Sequence, residues 1–122
     1  MKVADMVFRL YVETDKLEST IAFYETAQAT ACELKFENTE KRIKGAKIGK
    51  VLILAGAKED LAAVNDISAI FYVDSLDAFI PWLKDNGAVI LHAPVTIPFG
   101  RNMTVRNPDG LVVEYFEAKA AP

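Results

Sequence analysis

Two hydrophobic periods alternate along this chain, and they succeed one another in the same order twice. Residues 7–12 (VFRLYV) form a β-rich apolar run that predicts a strand. Asp15 with Glu18 three residues on has the form of a capping box. Leu17, Ile21 and Tyr24 then recur at helical spacing, which predicts an amphipathic helix from residue 16 to about 28. Residues 30–36, 42–48 and 50–55 read as three further strands, the last two joined by a tight hairpin at Gly49.

The order then repeats. Residues 67–73 (ISAIFYV) predict a strand, Ser75 a helix N-cap, and Leu76, Phe79, Ile80 and Leu83 the buried face of a second helix. Asn86-Gly87 closes that helix, and Pro81 removes one backbone bond inside it. Three strands are expected to finish the chain, from residue 89 onward, over 102–106 and over 111–116, with Asn107-Pro108-Asp109-Gly110 as the last turn. Tyr11-Val12 matches Tyr72-Val73, Leu17-Glu18 matches Leu76-Asp77, Ile21 matches Ile80, and Phe23 matches Trp82. The expected organisation is one domain over residues 1–122, made of two modules, 1–57 and 65–122, meeting in the polar, Ala-rich stretch GAKEDLAAVND.

Composition narrows the partners. Fourteen Lys and Arg against seventeen Asp and Glu leave a net charge of −3 and no basic stripe, so nucleic acid is not an expected partner. No uninterrupted apolar run approaches the ~20 residues of a membrane span, and no membrane partner is expected. One Cys excludes an internal disulfide framework and points to a reducing, cytoplasmic setting. One His means that no single subunit can build a site needing two imidazoles.

Three stretches, TDKLESTIAFY (14–24), FYVDSLDAFIPWLKDNG (71–87) and RNMTVRNPDGLVVEYFE (101–117), resemble the vicinal oxygen chelate superfamily, which includes glyoxalase I, bleomycin-resistance proteins, extradiol dioxygenases and fosfomycin-resistance enzymes. The last is the most specific, since NPDG followed four residues later by Glu is the closing signature of that superfamily. The resemblance implies an α+β fold of paired βαβββ modules, with curved mixed sheets around a cavity, commonly in a homodimer. It also implies a divalent metal held by His and Glu from both modules. Carried onto this chain, the ligand positions fall on Phe8, on Ser68, on Ile53 or Leu54 depending on register, and on Glu114. One carboxylate cannot hold a catalytic metal, and His92 lies off every motif position, so neither metal nor cofactor is expected.

Strand alternation supplies the expected lining of that cavity. Phe8, Leu10 and Val12 come from the first strand, Ser68, Ile70 and Tyr72 from the fifth, Asn102 and Thr104 from the seventh, and Glu114 and Phe116 from the eighth. Ala69, Phe71, Val73, Met103, Val105, Val113 and Tyr115 are expected under the helices. A half-buried Glu114 calls for a donor such as Ser68 or Asn102, or for pairing with Arg9, Arg101 or Arg106. Arg101 reads as a surface residue or an anion contact, His92 as a rim residue, and Cys32 as a small buried hydrophobe within a strand. Residues 37–50 read as a solvated hairpin. The leading expectation is a metal-independent small-molecule binding protein of the glyoxalase/bleomycin-resistance type, sequestering a drug or metabolite in a homodimer. The alternatives are a lyase or isomerase using Glu114 as general base with His92 or Tyr72 as acid, and a non-catalytic oligomerisation or regulatory module.

Overall fold

The computed structural model describes residues 1–119. Its elements run β1 (Val3–Val12), a 3-10 turn (Thr14–Lys16), α1 (Leu17–Gln28), β2 (Leu34–Asn38), β3 (Ile43–Ile48), β4 (Val51–Ala55), α2 (Lys58–Leu61), β5 (Ala69–Val73), α3 (Leu76–Asp85), β6 (Val89–Ile97), β7 (Gly100–Arg106) and β8 (Val112–Ala118). The fold is α+β with mixed strand pairing. Among the described residues no helix is long and apolar enough to cross a membrane. Contacts divide the chain into two units, one of Val7–Asp66 and one of Met1–Met6 with the chain from Ile67 onward.

In the unit of Val7–Asp66, β1 pairs in parallel with β4, β4 antiparallel with β3, and β3 antiparallel with β2. Gly49, with φ +54°, makes the expected hairpin between Ile48 and Val51. Leu17 and Ile21 of α1 pack on Ala46, Ile48, Val51, Ile53 and Ala55, with Leu10, Val12, Tyr24 and Cys32 partly buried beside them. The expected capping box does not form. Residues 14–16 wind into the 3-10 turn, so Asp15 lies inside a turn rather than ahead of the helix, and Lys16 stands at the N-cap without a side-chain cap bond. The hydroxyls of Ser19 and Thr20 instead donate back to the Lys16 carbonyl at 3.1 and 2.7 Å.

The second strand begins four residues later than its apolar pattern predicts. Ala29 adopts a left-handed conformation (φ 50°), Thr30 N–H closes the helix on Glu25 O, and the Glu25 carboxylate accepts the Cys32 N–H at 2.8 Å. Those bonds hold residues 29–33 as a loop. Cys32 is therefore a half-buried loop residue and not part of a strand.

In the other unit the strands follow the order β5-β8-β7-β6. β8 is parallel to β5 and antiparallel to β7, and β7 is antiparallel to β6. Leu76, Phe79 and Leu83 of α3 pack on Val73, Ala88, Met103, Val105, Val113 and Tyr115, with Phe71 partly buried against them. Apart from Ala88, the sheet residues here are ones that alternation placed under the helices, and Ala69, also expected there, lies in register with Val113. Ser75 caps α3 as expected, its hydroxyl accepting the Ala78 N–H at 3.2 Å. A second cap was not foreseen: Glu117 Oε1 accepts the Leu76 N–H at 2.8 Å across 41 residues of sequence. The NPDG turn closes with Asn107 N–H donating to Leu111 O, and Gly110 sits at φ +95°. Pro94 is accommodated because β6 is the last strand in the order and its register with β7 is irregular there.

Candidate functional site

Opposite the α3 core, the second unit presents two rows of side chains across β7, β8 and β5. One row is Asn102, Phe116 and Tyr72, and the other is Thr104, Glu114 and Ile70, each set in cross-strand register. Partners in register share a sheet face, so all six belong to one surface. The Tyr72 and Phe116 rings meet edge to face at 5.4 Å. Thr104 is buried (8% exposed), and Asn102 and Glu114 are half-buried.

Asn102 Nδ2 donates to Glu114 Oε2 at 2.9 Å, one of the several partners expected for that carboxylate. Asn102 Oδ1 is buried and has no hydrogen-bond partner among the described residues. Leaving such an acceptor unsatisfied costs about 1–3 kcal/mol. The amide cannot escape by turning over, because its oxygen would then face the Glu114 carboxylate.

Other expected site residues lie elsewhere. Leu10 and Val12 pack against the α1 core, and β1 pairs regularly with β4 from Phe8 to Val12, so Phe8 and Leu10 belong to the helix-packed side of β1. The expectation that they face a ligand is corrected: the other side of β1 carries Val7, Arg9 and Tyr11. Phe8 is 66% exposed. The repeat itself held the signal, since matching Tyr11-Val12 to Tyr72-Val73 sets Val7, not Phe8, against Ser68. Ser68 is exposed and sits just ahead of β5, its N–H donating to Val112 O.

His92 is an exposed residue of β6 in register with Thr104, its ring Nδ1 2.9 Å from Ala93 O. Arg101 lies in register with Glu117, on the α3 side of β7. Its guanidinium contacts Asp77 at 3.1 Å and Glu117 at 3.8 Å. Sequence reasoning missed Glu117 as a structural residue, although its carboxylate holds both the α3 N-terminus and this arginine.

The donor set does not fit a divalent metal. Among the described residues no group of three or more His, Cys, Asp or Glu is placed to hold one. Strand register also settles which residue of the first unit corresponds to Glu114: Leu52 stands beside Arg9 as Glu114 stands beside Ile70. The expected choice of Ile53 or Leu54 is thus off by one or two residues, and the position is apolar in any register. Ile53 itself is fully buried in the α1 core.

No family model and no curated protein matches the sequence. Solved structures do. An uncharacterized protein from Methanosarcina mazei is 36% identical, with a TM-score of 0.84 over 100% of this chain and 98% of that one. Methylmalonyl-CoA epimerase from Mycobacterium tuberculosis is 14% identical, with a TM-score of 0.73 over 97% of this chain and 90% of that one. The Streptomyces coelicolor methylmalonyl-CoA epimerase, solved with 2-nitronate-propionyl-CoA, is 17% identical, with a TM-score of 0.71 over 98% and 100%.

Proposed function

We infer that this chain, which belongs to the family of the Methanosarcina mazei protein and has the fold of the vicinal oxygen chelate superfamily, binds a small organic molecule on its Glu114 face without a metal. The observation that carries this reading is the Asn102–Glu114 pair beside the Tyr72–Phe116 rings, with one buried acceptor left open. A largely apolar surface with a few convergent polar atoms is the usual make-up of a small-molecule site. Among the superfamily's members, sequestering proteins of the bleomycin-resistance type fit this donor set best, because among the described residues no group of three or more His, Cys, Asp or Glu is placed to hold a metal. The protein works in this reading as a cytoplasmic homodimer. Val89, Leu91 and Val95, exposed along the terminal strand β6, supply an apolar surface for the second copy. Adding Mn²⁺, Co²⁺, Ni²⁺ or Zn²⁺ should leave the melting temperature unchanged. A rise of several degrees overturns the metal-free reading, since a ligand bound only to the folded state must stabilise it.

A second reading is favoured by the similarity to methylmalonyl-CoA epimerases. On the same surface Glu114 would act as general base toward an acidic C–H of an acyl thioester. Tyr72, one strand away, is better placed than His92 to act as acid, since His92 is two strands away, roughly 10 Å at ordinary strand spacing. Deuterium exchange at C2 of methylmalonyl-CoA in D₂O separates the two. The binding reading expects no exchange above buffer; exchange that vanishes in Glu114→Gln establishes the enzyme. A third reading, an oligomerisation or regulatory module, is selected if small molecules fail to bind and Leu91→Glu alone dissociates the dimer.

A further inference from the structure

We propose that the molecule taken by the Glu114 face presents an N–H or O–H donor to Asn102 Oδ1 and lays an apolar or aromatic body on Tyr72 and Phe116. The inference rests on the small-molecule reading above and names the class of its ligand. Three features carry it. Asn102 Oδ1 is buried and unpartnered among the described residues, an arrangement native proteins keep rarely and usually for a reason. Its polarity is fixed, because Nδ2 is committed to Glu114 Oε2 at 2.9 Å and the reversed amide would set oxygen against carboxylate. What the amide offers an incoming group is therefore an acceptor with two lone pairs, and the matching group must donate.

The surroundings define the rest of the ligand. Phe116 is the register partner of Asn102, and its ring meets that of Tyr72 edge to face at 5.4 Å, so the strand next to the amide presents aromatic surface. Thr104, buried one register step away, has a hydroxyl able to donate or accept, and Ile70, buried in register with Glu114, backs the same face. A ligand whose only polar group is an anion has no donor to give Asn102 Oδ1. A protonated amine and a neutral alcohol both satisfy the acceptor, and the two sources are separable by experiment.

The test titrates benzylamine, benzyl alcohol and benzoate into ¹⁵N-labelled protein. It follows the side-chain amide of Asn102 and the backbone amides of Tyr72, Thr104 and Phe116. Saturable shifts with benzylamine, benzyl alcohol or both, and at least tenfold weaker binding of benzoate, are expected. Preference for the amine over the alcohol assigns a cationic donor, and equal binding a neutral one. Asn102→Leu should weaken the preferred probe about tenfold while leaving benzoate unchanged. If that variant does not fold, the ranking of the three probes on the wild-type protein decides alone.

Benzoate binding as well as the donors at these residues overturns the inference and leaves the small-molecule reading standing. Absence of shifts with all three probes overturns both. Site-specific broadening of the Asn102 amide by Mn²⁺ would instead make Oδ1 a metal ligand, and that also overturns the proposal.

Discussion

Strand β4 is Val51–Ala55 with every residue buried, whereas β8, its counterpart in the other unit, carries Glu114 and Glu117 between Val113, Tyr115 and Phe116. The two strands hold matching places beside β1 and β5, and Leu52 occupies the position that Glu114 occupies. The helices differ in the same sense. α1 begins without a side-chain cap, while α3 is capped by Ser75 from beside it and by Glu117 from β8. Both units have the same packing skeleton, a helix on one sheet face. Away from its helix the second unit carries the hydrogen-bonded Asn102–Glu114 pair, the first the Arg9–Tyr11 pair, and only the second fixes its helix start with side chains, Ser75 and Glu117. Apolar positions repeat because any well-packed hydrophobe serves there; polar ones do not, because each needs a particular partner.

If the skeletons are equivalent, equal insults to the two cores should cost the same. Ile53→Ala under α1 and Leu83→Ala under α3 each remove a side chain buried to 2% exposure or less. Each should destabilise by about 2–5 kcal/mol, read from urea or thermal unfolding. A cost near zero for either would break the equivalence and show that one unit's core tolerates collapse.

The caps come next in size and should differ between units. Ser75→Ala should cost about 1 kcal/mol, the ordinary value of an N-cap. Asp15→Ala, at the position where the sequence pattern suggested a capping box, should stay within about 0.5 kcal/mol, as for a surface substitution. A large Asp15 effect would restore a symmetry between the helices that the hydrogen bonds deny.

That contrast marks what the chain made legible. The β–α–β–β–β order, the Ser75 cap, the hairpin at Gly49 and the α3-side residues Val73, Met103, Val105, Val113 and Tyr115 all followed from periodicity and turn chemistry. So did the grouping of Ile70, Tyr72, Asn102, Thr104, Glu114 and Phe116 on one face. The face of β1 was misread. Counting seven residues back from Asp15 put Phe8 at a ligand position, whereas the alternation of Arg9 and Tyr11 with Phe8, Leu10 and Val12 marks the all-apolar side as the one that meets the helix. Glu117 was overlooked because its partners, Leu76 N–H and Arg101, lie 41 and 16 residues away, beyond the reach of local patterns. The open acceptor on Asn102 is a property of amide orientation, which no sequence states.

A smaller effect probes how the second unit holds its last turn. The Tyr115 hydroxyl donates to Asn107 Oδ1 at 2.7 Å, tying β8 to the NPDG turn. Tyr115→Phe should cost roughly 0.5–1 kcal/mol, the net worth of one hydrogen bond. Burial raises the Tyr115 phenol above its ordinary value, against the lowering by its bond to Asn107. A raised folded value means stability is intact below the unfolded phenol pKa of about 10 and is lost as pH climbs past it. The alkaline loss should therefore be shallower in Tyr115→Phe, measured as unfolding midpoint against pH.

The smallest expected effect lies where β1 begins. Asp74 accepts the Lys2 N–H at 2.9 Å and lies 3.4 Å from the Met1 ammonium, while its own N–H donates to Lys2 O. The Lys2 N–H bond, helped by the ammonium charge, holds the Asp74 carboxyl below its ordinary value. A depressed folded value contributes stability above the unfolded carboxyl pKa of about 3.9, and that contribution disappears as pH falls through the folded value. Lowering the pH from 5 to 3 should therefore reduce hydrogen-exchange protection factors, taken against the intrinsic rate at each pH, at residues 2–6 and 74 more than at β3 and β4. Asp74→Asn should show the lower protection already at pH 5 and little further change. An equal loss of protection across β3, β4 and the start of β1 would mean that Asp74 does not set the acid response of this end, and that the two units lose their strands together.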